Sequence, residues 1–374
     1  RRGITGDLAD SIYVKILSFA NFGFAESHAL SFALLVYASS WFKLHYPAAF
    51  LAGLLRNQPM GFYSPQSLVH DARRHDVDVR RPDVTRSAAQ AELEPVGSDP
   101  VVVTGPDECR RPRFERVEWV PGTPDPVPAH RRDGALAVRL GLDSVRGIGL
   151  DVARRIVAAR DEAAFTGITD LSRRAGLTSA QLEALATAGA FDAWGLDRRS
   201  ALWSAGFAEG PDHLPGITPA PAAPTLPGMS EPELTLADLW ATGVSPERHP
   251  VEHLRDELRR AGVRSVAELA DAESGRRVHV GGLVTHRQRP GTAMGVTFLN
   301  LEDETGMLNV VCSIGVMKAH RQAARNKVAV VVRGRLERNE GVTNLVADRV
   351  EGIDVVVPGA GAVLQARASS RDFR

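Results

Sequence analysis

The chain has 374 residues and a formal net charge of zero, with 45 Lys or Arg set against 45 Asp or Glu. That length allows two or three domains, each with a core of its own, while the charge balance names no partner. Cys109 and Cys312 lie far apart in unlike contexts. This excludes a disulfide framework or a thiolate metal site and fits the reducing cytoplasm.

From Asp7 to Arg56 the pattern is helical. Leu8, Ile12, Ile16 and Phe19 recur at helix spacing, Gly23 breaks the run, a second helix reaches His45, and Pro47 sits in the first turn of a third. These predict three packed helices. The apolar run Ala29 to Phe42 is broken by serines and followed by Lys43 and His45. It falls short of the roughly 18 to 20 residues a membrane span requires, so it reads as a buried core helix. Glu26-Ser27-His28 stand at the mouth of that helix, where Glu26 or Ser27 would cap free N–H groups. Ser27 and His28 could also hold phosphate oxygens there, although local physics favours the cap. Ser64 is read as the N-cap of a short helix over Gln66 to His75.

Arg80 to Asp133 is Pro-rich and poorly periodic, an irregular connector with some β structure such as Val101 to Val103. Helical periodicity returns from Asp143 to about Phe207. Gly210 to Pro227 has the composition of a tether, and Pro250 to Ala270 is helical. Beyond Arg276, "RRVHVGGLVTHRQR", "VTFLNLEDETG", "LNVVCS", "KVAVVVRGRLERNEG" and "TNLVADRVEG" are five strand candidates, with "GVMKAHRQAAR" helical between the third and fourth. This is the layout of an OB barrel. Charge is segregated along the chain: Leu226 to Gly275 carries ten acids against five bases, and Arg276 to Arg335 ten bases against three acids. The acidic stretch is a candidate contact surface.

"GLDSVRGIGLDVARRIVAAR" has the shape of a helix-hairpin-helix, with Gly147-Ile148-Gly149 as the turn and Val152, Ile156 and Val157 on one helix face. The glycines permit a tight turn whose N–H groups face a phosphate, and Arg146, Arg154 and Arg155 add charge beside it. Such contacts read the DNA backbone rather than its sequence. An ordinary helical hairpin with glycines for packing is the alternative. "LTSAQLEALATAGAFD" reads as its degenerate, structural twin.

On the barrel, Phe298 with Arg287, Lys318, Arg333 and Arg335 could form a charged, stacking groove for a single strand. A structural or protein-binding barrel is the alternative, because Phe298 is the sole Phe, Tyr or Trp between Arg276 and Arg335. Asp76-Val77-Asp78 and Glu302-Asp303-Glu304 are the visible carboxylate clusters, read as solvated or ion-paired surface. With no Walker loop and no H-E-x-x-H motif, the sequence shows means of holding nucleic acid and none of cutting or joining it.

The segment "FANFGFAESHALSFALLVYASSWFKLHYPAAFLAGLL" resembles the fingers region of the bacterial C-family (DnaE-type) DNA polymerases. "RRPDV", "FTGITDLSRRAGL", "LATAGAFD", the hairpin segment and the terminal barrel agree in order. "LRNQPMGFYSPQSLVHDARRHDV" and "LADLWATGVSPERHPVEHLR" resemble the error-prone branch.

The resemblance implies an α+β multidomain C-terminal part of such an enzyme. The helical end of the fingers would occupy residues 1–80, a connector 81–134, the helix-hairpin-helix domain 135–209, and a linker with a helical segment 210–275. An OB-type β-barrel follows at 276–357 and a tail at 358–374. The family's aspartate-rich palm motif is missing, which would place the palm, with its Mg2+, upstream of Arg1; the start without Met agrees. It further implies primer-template DNA and an incoming deoxynucleotide as ligands, with Ser27 and His28 contacting nucleotide or template. A sliding clamp or damage-induced accessory proteins would be partners, and no membrane is involved. A replicative paralogue and a free-standing DNA-binding repair module are the rival readings.

Overall fold

The computed structural model describes residues 5–20, 26–61, 63–97, 131–208, 223–339, 341–360, 364 and 371–373. The strand read at Val101 to Val103, Cys109 and most of the tether fall outside them. Four helices open the chain: α1 (Asp7–Ala20), α2 (Glu26–His45), α3 (Pro47–Arg56) and α4 (Pro65–Arg74). Pro47 and Pro65 each stand in a first turn, and the Ser64 side chain accepts from Ser67 N–H as the cap of α4.

No such local cap serves α3. Its free N–H groups at Ala48 and Ala49 donate to Asp133, 2.8 and 3.1 Å away, from a residue 85 positions on. Ala48, Leu51, Val69, Val77, Val138 and Leu140 form the core beneath α3 and α4. Against its edge lies a small sheet of β1 (Val79–Arg80), β3 (Leu136–Arg139) and β2 (Glu92–Pro95), in that order. The connector thus contributes one of the three strands, β2, and the other two flank it.

The expectation of a buried second helix is corrected. Leu30, Leu34, Leu35 and Tyr37 of α2 are exposed, as are Tyr13, Val14 and Ile16 of α1. Only the end of α2 packs, where Trp41 meets His45 and Tyr46 at ring distances of 5.0 and 5.6 Å. Apolar periodicity shows that a face wants burial and does not say what buries it. No helix among the described residues is long and apolar enough to cross a membrane.

The central unit comprises α5 (Leu150–Glu162), α6 (Ile168–Ala175), α7 (Ser179–Thr187) and α8 (Arg198–Gly206) around Leu142, Ile148, Ile156, Leu171, Leu185 and Phe191. Helix α9 (Glu231–Thr242) packs on it, and α10 (Arg255–Arg260) leads to the barrel.

Five strands build the barrel: β4 (Arg277–Gln288), β5 (Thr297–Glu302), β6 (Met307–Cys312), β7 (Ala329–Asn339) and β8 (Val342–Gly352), with α11 (Ile314–Ala319) and α12 (Arg321–Asn326) between the third and fourth. β4 pairs antiparallel with β7 over its first half and with β5 over its second, and β6 lies parallel to β8, which closes the cylinder. Opposite the bulge at Asp348 of β8, a Cβ on Gly334 of β7 would stand 2.4 Å from Val346 O, so only glycine fits. Val280, Leu299, Leu301, Val310, Val332 and Leu345 fill the interior, while Leu283, Ala329 and Val331 face outward to Val251, Leu254 and Leu258. A short α13 (Ile353–Val356) follows, and β9 (Arg371–Phe373) runs parallel to the end of β4. The fold is α+β, with a helical first part and a terminal OB-type barrel.

Candidate nucleic-acid interface

The hairpin is built on two buried aliphatic side chains. Val145 and Ile148 anchor it in the core, and Ile148 N–H closes the turn on Val145 O at 2.9 Å. Between them Gly147 takes φ +77°, a left-handed backbone, with open space where a side chain would project. Gly149 is the N-cap of α5 and has no side chain to satisfy the first-turn N–H groups, which leaves the positive end of the helix uncapped. Both glycines are exposed. The segment expected as the first helix of the motif is a single 3-10 turn, Leu142–Ser144. Gly141 and Ser144 close it by Ser144 N–H and Oγ both donating to Gly141 O.

A second helix start is tied to the same turn. Gln181 accepts from Thr178 N–H while its side-chain amide donates to Gly147 O at 3.2 Å, so the capping box of α7 also braces the hairpin. The predicted "twin" therefore supports the hairpin, which the sequence alone did not show.

Of the arginines, Arg146 is exposed on the turn and its guanidinium lies 5.0 Å over the ring of Trp240. Arg154 is exposed, 3.7 Å from Asp151, and Arg155 reaches Ala175 O at 3.2 Å. Asp151 stands in the first turn of α5, where a carboxylate competes with any incoming anion. What remains is a turn with a positive helix end and three arginines on its rim. That arrangement suits a phosphate diester backbone.

The barrel residues fall out differently. Arg287 is buried, its guanidinium donating to Ala324 O and Lys327 O, so it holds α12 against the barrel. Arg333 pairs with Asp348 at 2.6 Å and Arg335 with Glu337 at 2.6 Å. Lys318 is exposed on α11, and Phe298 is half-buried on β5. Ser27 and His28 are exposed in the first turn of α2, where the His28 ring packs edge-on against Phe32 at 4.5 Å.

The carboxylate clusters are not alike. Asp76 and Asp78 are exposed, and Asp78 pairs with Arg80 at 2.9 Å. Glu302 and Asp303, by contrast, are buried and held between domains, which corrects the reading of a solvated surface. Asp303 accepts from Arg255, Val266 N–H, Thr305 and Gly306 N–H. Burial, with Glu304 beside it, pushes its carboxyl above the usual range.

Glu302 accepts from Ser67 of α4 at 2.8 Å and groups with His70 and His249, each residue offering an atom within 4.8 Å of the others. The hydrogen-bond network assigns the ring protons. Ser245 N–H donates to Gln66 Oε1, which leaves the amide nitrogen of Gln66 to donate to His70 Nε2 and puts the His70 proton on Nδ1, 3.9 Å from Glu302. Val251 N–H donates to His249 Nδ1, so that proton is on Nε2. A metal-bound imidazole needs the reverse, a lone pair inward and the other nitrogen donating outward. The trio therefore reads as a polar clamp joining α4, the 249 segment and β5.

Sequence reasoning passed over Asp238 and Trp240. Asp238, 2% exposed, accepts from Arg81 at 3.0 and 3.1 Å and from Arg198 at 2.5 Å, and so fixes α9 on the central unit. Burial lowers the Arg81 pKa, but its bonds to Asp238 and Glu247 more than reverse this and hold it above the usual value.

Comparison with known proteins adds to this geometry. Residues 76–201 match the helix-hairpin-helix motif and residues 278–353 the OB-fold nucleic acid binding domain. Error-prone DNA polymerases of Cutibacterium acnes and Nocardia farcinica are 51% and 50% identical over all of this chain, which covers 33% and 29% of those proteins. The chain thus spans about a third of the length of the relatives it matches. Asparaginyl-tRNA synthetase from Pyrococcus horikoshii overlaps 24% of this chain and 22% of its own at 22% identity and a TM-score of 0.21, too slight a likeness to bear on function. With half of all positions shared along its length and two nucleic-acid-binding units matched within it, the chain is a homologue of about a third of the error-prone DNA polymerases.

Proposed function

We propose that these residues are the DNA-holding part of a cytoplasmic polymerase that extends primers past template damage. The hairpin grips the backbone of the primer-template duplex, and the barrel lies toward the single strand. Nucleotidyl transfer takes place in polypeptide outside these residues. The observation that carries the reading is the exposed Gly147-Ile148-Gly149 turn at the uncapped start of α5, with Arg146 beside it.

Mg2+ chemistry does not fit the buried Glu302-Asp303 cluster. Phosphoryl transfer calls for carboxylates free to clamp divalent ions, whereas Asp303 is occupied by five donors from four residues and Glu302 by Ser67. No step is assigned to a metal here. Ser27 and His28 are available for the incoming nucleotide or template, because both are exposed at a helix start. The exposed apolar faces of α1 and α2 would pack on polypeptide beyond this chain, a reading supported by the share of the relatives it covers. A sliding clamp or damage-induced accessory proteins would recruit the whole enzyme.

Fluorescence anisotropy of the 374-residue chain with blunt duplex DNA over a salt series tests this. Replacing Gly147→Val together with Gly149→Val should weaken binding about tenfold and flatten the slope of log affinity against log salt, since fewer phosphates are neutralised. Affinity and slope unchanged from the parent chain would refute the hairpin as the grip.

A further inference from the structure

Trp240 is 45% exposed, yet the residues around it are not: Asp238 is 2%, Leu239 8% and Ala241 1% exposed. The indole is therefore presented outward from a helix nailed down on its inner face. It is also tied to the hairpin at two points. Arg146 N–H donates to Ala241 O at 2.7 Å, and the Arg146 guanidinium lies 5.0 Å over the Trp240 ring. Among the described residues no carboxylate pairs with Arg146, so its charge is held by the indole alone and remains available to an anion.

A turn that takes backbone phosphates, a cation and an open aromatic surface are thus one rigid group. Base stacking on an aromatic side chain is sequence-tolerant because every base has a π-face. Paired bases inside a duplex cannot offer that face. An indole placed beside a duplex grip can reach it only where the strand is unpaired.

We propose that Trp240 is a stacking platform for an unpaired nucleotide adjoining the duplex, with Arg146 bridging it to the neighbouring phosphate. The chain then discriminates a duplex carrying a single-stranded overhang from a blunt one. This rests on the hairpin reading above and adds a ligand class to it.

The experiment compares binding of the full chain to a blunt duplex and to the same duplex with a short single-stranded overhang. The parent chain should prefer the overhang. Trp240→Ala should lower affinity for the overhang about tenfold, at the low end of what loss of one stacked base produces, and leave the blunt duplex within about twofold. Trp240→Phe, which keeps a smaller ring, should retain part of the preference, and an unchanged melting temperature shows that the fold is intact.

Equal losses on both substrates, or no preference in the parent chain, would overturn the proposal and leave the indole to a protein contact. The two readings fail separately. If Gly147→Val with Gly149→Val abolishes duplex binding while Trp240→Ala changes nothing, the grip stands and the platform falls. If the glycine pair has no effect, the grip itself is lost and the proposal with it.

Discussion

Asp238 sits between the guanidinium groups of Arg81 and Arg198, the first of them 157 residues away in sequence and the second 40. Removing one partner of a buried ion pair costs more than the pair contributes, because the remaining charge stays buried and uncompensated. Asp238→Asn should therefore destabilise by about 3 kcal/mol, the lower end of the range because Arg81 reaches solvent and pairs with Glu247 as well. A shift of the urea midpoint followed by circular dichroism measures it; no shift would mean that α9 is held by its apolar contacts alone. At Cys312 the relevant quantity is reactivity. Burial pushes its thiol up to about 12, so thiolate is scarce at neutral pH. Iodoacetamide should leave Cys312 unmodified in the native chain and label it once urea is added, as read by peptide mass spectrometry.

Among the elements, local signals were the legible ones. Ser64 and Pro47 announce helix starts through their own backbone chemistry, and the five alternating strands with a helical insert announce the barrel. What escaped was set at long range: Asp133 capping α3, Gln181 bracing Gly147, and Arg287 turned inward to carbonyls although its residue type suggested a surface contact. The first helix of the hairpin motif shrank to one 3-10 turn because its residues close back on Gly141 before an α-turn forms. Two glycines separate the causes of fixation. Gly334→Ala drives a methyl into Val346 O and should lower stability by about 1–3 kcal/mol through overpacking. Gly147→Ala meets open space and carries only left-handed backbone strain of about 1–2 kcal/mol. Thermal melts should show both losses, and only the second variant should alter DNA binding.

For the molecule as a whole, charge segregation was readable and its use was not. The acidic stretch from Leu226 to Gly275 spends much of its charge internally: Glu233 on Arg199 and Ser230, Asp238 on two arginines, Glu268 on Ser265 and Arg259. Burial lowers the His253 pKa, so the folded chain holds it neutral; its contribution is present above about pH 6.5 and is lost as pH falls through the lower folded value. Burial raises the Glu94 pKa, but Arg139 and Arg80 outweigh it and leave a depressed value, a contribution present above about pH 4.3 and lost below. Asp303 acts in the opposite sense, since its raised value favours the folded state as acid is added. Melting temperature should accordingly begin to fall below about pH 6.5 and fall more steeply below about pH 4.3. His253→Gln should remove the first step alone; a first step that persists would assign it elsewhere.

The antiparallel pairing of β2 with β3 has a practical consequence. Glu94 pairs with Ala137 and Pro95 with Leu136, and Val96 N–H still donates to Ala135 O at 2.9 Å. The polypeptide therefore leaves the sheet and comes back to it at one doorway. These pairs set the register of the two strands, so a reporter or an affinity handle grafted beside Gly97 should be carried without shifting the pairing of β2 with β3.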